Sequence, residues 1–151
     1  MWFKGEVLNI SLGCGIEVIS FGSTEDDALK LLGEADKVYF TDGECKRLQY
    51  NELLIELSFE PDNENRLGWL EVHNPKVELF GFKLIGKSFA EVDVILKDKL
   101  NESPTIEDYG SFISVTYDDQ WLELHFEFDR LTNINFGVLY ADNDIVLWPT
   151  T

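Results

Sequence analysis

The sequence predicts an α+β fold: two tandem units, each a short helix followed by three strands, joined in one antiparallel sheet with the helices on one face and the other face open. Three observations carry that prediction. Residues 50–60 and 117–127 align without a gap, matching Tyr50 to Tyr117, Glu56 to Glu123, Leu57 to Leu124, Phe59 to Phe126 and Glu60 to Glu127. Residues 22–32 align with 86–96, which puts Ser88 on Thr24 and Glu91 on Asp27. Between these landmarks the chain alternates apolar and polar residues, the mark of strands with one buried face. An antiparallel sheet can leave its second face in water. Small repeats seldom bury enough surface alone, so the two units are expected to share one core.

In order, residues 1–21 read as extended segments with a turn around Gly13 and Gly15. A helix follows from Thr24, whose spacing to Asp27 makes a capping box. Glu25, Asp26 and Asp27 complement its dipole, Ala28, Leu31 and Leu32 share a face, and Gly33 stops it. Strands are expected at 38–40, 47–50, 53–60 and 67–73, with a tight turn at Asn51 and Glu52 and a polar loop at 61–65. Leu53, Ile55, Leu57 and Phe59 face one way; Leu54, Glu56, Ser58 and Glu60 face the other. On the next strand Leu70 and Val72 oppose Trp69, Glu71 and His73. Residues 76–85 read as extended.

The second helix opens with the capping box of Ser88 and Glu91 and buries Val92, Ile95, Leu96 and Leu100, with Asp93 and Lys97 as an i,i+4 pair. Strands at 112–117, 121–128 and 131–136 then repeat the earlier ones, and residues 138–148 offer one more with a turn at 141–144. The whole, 1–151, reads as a single domain with repeats at about 19–75 and 82–138 and extended ends.

The totals agree with a folded domain. At 151 residues, 44% hydrophobic and 13% aromatic, the chain is long enough to bury a core. No signal peptide and no apolar run long enough to span a bilayer is present, so a soluble, cytoplasmic protein is expected. Its two cysteines, Cys14 and Cys45, make no framework and read as free thiols. A net charge of −17 disfavours phosphate backbones and anionic lipid, so neither nucleic acid nor membrane is an expected partner. It favours a protein partner with a basic surface.

The segment 21–36, a glycine, a capped short helix and then Leu32-Gly33-Glu34-Ala35-Asp36, resembles the opening of beta-lactamase-inhibitory-protein-like units and of the SmpA/BamE-type lipoprotein assembly factors. Their Leu-Gly-x-Pro-Asp pattern has Ala35 at the proline position here, and 100–104 matches it loosely. The tandem arrangement is similar to that of the inhibitory proteins, so the resemblance implies an open sheet face that grips another protein. It implies no individual contact residue, and nothing around Cys14 resembles a lipid-attachment motif.

No nucleophile, metalloprotease, phosphate-loop or dinucleotide motif is present, so no catalytic residue and no cofactor is assigned. Residues 62–68 resemble a calcium loop only faintly, with Arg66 at a ligand position. The outward strand positions are the candidate site: Trp69, Glu71, His73, Trp121, Glu123, His125 and Glu127, with Glu56 beside them. Trp brings large contact area with few rotors, and the carboxylates suit a basic partner. Three readings stay open: a non-enzymatic binding protein of inhibitor or immunity type, monomer or homodimer; an enzyme or metal-dependent module using His73, His125 and the glutamates; and an assembly subunit pairing through strand edges.

Overall fold

A computed structural model describes residues 8–149. The start of the expected extended segment, including Val7, lies outside the described residues. In chain order the elements are β1 (Asn9–Ser11), β2 (Gly15–Ile16), β3 (Ile19–Ser20), α1 (Glu25–Leu32), β4 (Lys37–Phe40), β5 (Lys46–Tyr50), β6 (Ile55–Glu60), β7 (Arg66–Val72), β8 (Glu78–Leu79), α2 (Phe89–Lys99), β9 (Thr105–Asp108), β10 (Ile113–Tyr117), β11 (Leu122–Glu127) and β12 (Arg130–Gly137). The fold is α+β, with two helices and mostly antiparallel sheets.

The large sheet has eight strands in the order β4-β5-β6-β7-β12-β11-β10-β9, every neighbour antiparallel. Each helix is thus followed by four strands of the sheet, one more than the three-strand unit; β4 answers to the strand expected at 38–40, whereas β9 was not expected. β9 escaped the sequence pattern because it is an edge strand exposed throughout, Thr-Ile-Glu-Asp, with no apolar face to display. A small sheet, β3-β2-β1-β8, includes one parallel pair, β1 with β8. The rest of the expected extended stretch at 76–85 is turn and irregular chain with one bridge, Leu79 to Phe82, and Phe80 and Gly81 between them are both at positive φ. The tail adds a single bridge, Tyr140 to Val146, across a turn at 142–143.

Both helices begin with the expected capping boxes, from Thr24 to Asp27 and from Ser88 to Glu91. In α1 only Ala28 is buried; Leu31 is 44% exposed, because eight residues offer one narrow stripe to the core. In α2 Val92 and Leu96 are buried, and Lys97 meets Asp93 at 3.1 Å. Phe89 packs edge-on against Phe126 of β11, while Lys46 of β5 pairs with Glu25 of α1 at 2.8 Å.

One set of local contacts occurs in both halves. Gly22 donates to the Leu67 carbonyl and Leu67 to that of Ser23; Gly86 donates to Leu131 and Leu131 to Lys87. Arg66 Nη1 donates to the Gly22 carbonyl at 2.8 Å, and Arg130 Nη1 to that of Gly86 at 3.2 Å. Gly22 and Gly86 have φ of 94° and 95°, values that a side chain resists. Bulges fall at Ser58/Phe59 and His125/Phe126. Leu54 and Trp121, matched in sequence, both take the left-handed conformation at the foot of their strands, φ 56° and 49°. Strands expected to start at 53 and 121 therefore start at Ile55 and Leu122.

Register places apolar side chains of the six inner strands, β5, β6, β7, β12, β11 and β10, in common rows. One row runs Leu48, Leu57, Leu70, Phe136, Leu122, Tyr117; a second runs Ile55, Val72, Ile134, Leu124, Val115. These form one buried cluster with Ala28, Val92, Leu96 and Phe21, whose ring meets Phe136 edge-on. Among the described residues no helix is long and apolar enough to cross a membrane.

Candidate functional site

On the opposite side of the sheet the same registers build polar rows. Gln49, Glu56, Glu71, Asn135, Glu123 and Thr116 lie side by side across β5, β6, β7, β12, β11 and β10. A neighbouring row carries Tyr39, Arg47, Ser58, Trp69 and Gly137. The expected outward residues Trp69, Glu71, Glu56 and Glu123 therefore do share one face.

That face has two halves of different electrostatics. On the β4–β7 half, Arg47 Nη1 donates to Glu56 Oε2 at 2.8 Å and to Glu71 Oε2 at 2.9 Å. Tyr39 donates to the same Glu56 oxygen at 2.7 Å and Gln49 to its other oxygen at 3.4 Å. Burial opposes the Arg47 charge, but the hydrogen bonds and charges of Glu71 and Glu56 outweigh it and hold its pKa above the ordinary guanidinium value. Burial and the bond to Glu56 push Tyr39 up to about 12. Glu56 is thus only 7% exposed and already satisfied, rather than an outward carboxylate awaiting a partner.

On the β9–β12 half, the corresponding positions hold other residues. The alignment that matches Glu56 to Glu123 matches Arg47 to Ser114, and Asn135 takes the place of Glu71. Glu123 Oε1 accepts from Asn135 Nδ2 at 3.2 Å, and Asn135 Oδ1 accepts from Asn133 at 2.8 Å. The one arginine or lysine on these four strands is Arg130, which is spent on the Gly86 carbonyl.

Each half has a cleft at the foot of its central hairpin. The first, of about 260 Å³, is lined by Gln49, Tyr50, Asn51, Leu54, Ile55, Glu56 and His73. The second, of about 280 Å³, is lined by Trp69, Thr116, Asp118, Trp121, Leu122 and Glu123. Leu54 in the one is Trp121 in the other, Asn51 is Asp118, and Glu56 is Glu123. Gly137 stands where the first half has His73. With no side chain there, Trp69 of the next strand crosses over: a Cβ on Gly137 would fall 2.8 Å from Trp69 Cε3. The indole is held at its other end by Nε1–H donating to Glu71 at 3.3 Å. Trp121 faces it as a half-exposed ring, 5.1 Å from that of Tyr140, whose hydroxyl accepts from Asn63 at 2.8 Å.

The remaining expected residues lie apart from this slot. His73 belongs to the other cleft. The His125 ring lies tilted against Phe112, centroids 4.1 Å apart, and Phe112 stacks on Tyr109 at 4.8 Å. Val72 pairs with Ile134 and His125 with Asn133, which leaves the two histidines two strand spacings apart, roughly 10 Å. Among the described residues, no three His, Cys, Asp or Glu side chains are grouped to hold a metal. Glu127 is exposed at the far end of β11, about 20 Å from Trp121 along the strand. Sequence reasoning missed Arg47, Asn135, Asp118 and Gly137. The signal was present in the alignment, which sets Gly137 opposite His73 and Ser114 opposite Arg47.

No family model and no curated protein matches the chain. Among solved structures it is similar to an extracellular protein containing a SCP domain from Bacillus anthracis str. Ames, with a TM-score of 0.54 and 16% identity, over 100% of this chain and 56% of that one. The chain thus spans just over half the length of that neighbour, and the likeness is one of fold. It is also similar to the uncharacterized protein YfeY from Escherichia coli, with a TM-score of 0.49 and 9% identity, over 87% of this chain and 99% of that one.

Proposed function

We propose that this chain is a non-enzymatic protein-binding module of inhibitor or immunity type, which takes a basic partner on the polar face of its large sheet. In this reading the halves are two copies of one unit, like those of the inhibitory proteins, with the helices behind the sheet and the polar face in front. The paired capping boxes, glycines, arginines and bulges support the duplication. One observation carries the functional reading: Trp69 and Trp121 line one cleft together with Asp118 and Glu123. Aromatic anchors of this kind dominate binding energy where a pocket desolvates them. The net charge of −17 would draw in a basic partner and repel acidic ones.

Within the face the contact set narrows to Trp69, Trp121 and Glu123, with His125 and Glu127 beyond them on β11. Glu56, Glu71 and His73 belong to the half in which Arg47 already pairs with the carboxylates. The test is affinity for the partner isolated from the native host. Trp69→Ala or Trp121→Ala should weaken it at least about tenfold, the loss of one hot spot. If both variants keep full affinity, the sheet-face reading is wrong.

The proposed address is the cytoplasm, whereas the Bacillus neighbour is described as extracellular. Fractionation of host cells with detection of the untagged protein decides between them.

Self-assembly through a sheet edge is a second reading, and it has its own observation. Among the described residues β4 is the outermost strand of its sheet on one side, carrying Val38 at 52% and Phe40 at 64% exposure, the kind of strand that invites another chain. Light scattering that finds only monomer across concentration would remove it.

A further inference from the structure

We infer that the slot between Trp69 and Trp121 takes an arginine side chain from the partner, with Glu123 as its carboxylate. This rests on the reading of the face as a binding surface, and it names what that surface recognises.

The first half of the molecule supplies the precedent. There a guanidinium, Arg47, bridges Glu56 and Glu71 through contacts of 2.8 and 2.9 Å. The second half keeps the central carboxylate as Glu123 but places Ser114 where the arginine would be and Asn135 where the second carboxylate would be. Among the described residues Glu123 is left with one neutral donor, at 3.2 Å. Asp118, which lines the same cleft, adds a second negative charge, and among the described residues no lysine or arginine lines it. Ser114 does not line this cleft, so a cation entering it would meet Glu123 from the Asp118 side and supply there the charge pairing that the first half makes internally with Arg47.

The walls say which cation. Indole is the strongest of the aromatic faces toward a positive charge. A planar guanidinium stacks on such a ring and forks to a carboxylate at once, which a lysine ammonium cannot do. The cleft, about 280 Å³, falls just under the ~300 Å³ at which small-molecule sites usually begin, so its scale is that of one side chain. The Trp69 indole is fixed beforehand by Gly137 below it and Glu71 at its edge, so little ordering is left to binding.

The experiment is an NMR titration of the full chain. Its indole Nε1–H signals, assigned with Trp→Phe variants, are followed while N-acetyl-arginine methylamide is added at constant ionic strength. The lysine and leucine analogues are run in parallel. The Trp69 and Trp121 signals should move saturably with arginine, several-fold less readily with lysine and not with leucine. Glu123→Gln should weaken arginine binding about tenfold, as expected when one charge-assisted contact is lost. Equal responses to arginine and leucine, or an unaffected Glu123→Gln, would overturn the proposal. If arginine leaves both indoles unmoved while Trp69→Ala and Trp121→Ala still abolish partner binding, the arginine slot falls and the binding face stands. Saturable arginine shifts with no effect of those substitutions on the partner would keep the slot and remove the face reading.

Discussion

The six-membered ring of Trp69 lies against the bare Cα of Gly137 on the adjacent strand, where an added Cβ would sit 2.8 Å from Cε3 and 3.0 Å from the Gly68 carbonyl. A glycine inside a strand ordinarily weakens it, and here the neighbour's indole fills the missing volume. Gly137→Ala should therefore displace the ring and destabilise the chain by about 1–3 kcal/mol, the range for overpacking. Urea denaturation measures the cost, and near-UV circular dichroism follows the indole. In the double variant with Trp69→Ala the two losses should fall short of additive, because the clash has gone. Strict additivity would mean that the two residues do not press on each other.

Arg47 is the counter-ion of two carboxylates, and Glu56 keeps only 9% of its side chain exposed. Arg47→Met preserves bulk and removes the charge, stranding both. The expected loss is about 3 kcal/mol, the lower end for breaking a buried pair. Adding Glu56→Gln and Glu71→Gln to Arg47→Met leaves no stranded charge and should recover part of the loss. An equal deficit with and without the two carboxylates would mean that packing, not charge, is what Arg47 supplies.

Much of this architecture is legible in the amino-acid sequence, because the features concerned are local. Capping boxes at Thr24 and Ser88 and the alternation of Ile55, Leu57 and Phe59 follow from neighbours along the chain. What stayed hidden depends on partners far away in sequence. β9 has no pattern because it pairs through its backbone alone. The burial of Glu56 comes from Tyr39, Arg47 and Gln49 on two other strands, so alternation marks it as outward without showing that it is sealed. Trp69 and Trp121 are both readable as outward aromatics. Their meeting depends on strand order, which places β12 and its glycine between β7 and β11.

Glu60 gives a pH dependence of one sign. Burial raises its carboxyl above the usual range, with Asp62 adding to the shift and Arg47 opposing it. A raised folded pKa means stability that is fully present below the unfolded value and declines as pH rises through the folded one. At neutral pH the Glu60 charge therefore works against folding. Glu60→Gln keeps an acceptor for Asn63, which donates to Glu60 Oε2 at 3.5 Å. Its melting temperature should exceed that of the parent at pH 7, with the gain disappearing below about pH 4, where both side chains are neutral. A constant difference across that range would show that Glu60 is not charged at the cost of the fold.

Two tyrosines set the alkaline limit. Tyr117, 2% exposed, is pushed from the ordinary 10.0 to about 12 by burial and then by the charges of Asp93 and Glu102. Tyr39 reaches about 12 through burial and its bond to Glu56. In the unfolded chain both ionise near 10, so the folded state binds the extra protons and stability falls as pH rises from 10 toward 12. Tyr117→Phe keeps the ring and removes one of those protons. Its melting temperature should decline less steeply than that of the parent between pH 10 and 12, and the two curves should run parallel below pH 9. Tyrosinate absorbance in the parent should show a delayed component that appears together with loss of the near-UV signal. If that component titrates near pH 10 in the folded protein, Tyr117 does not hold its proton through burial.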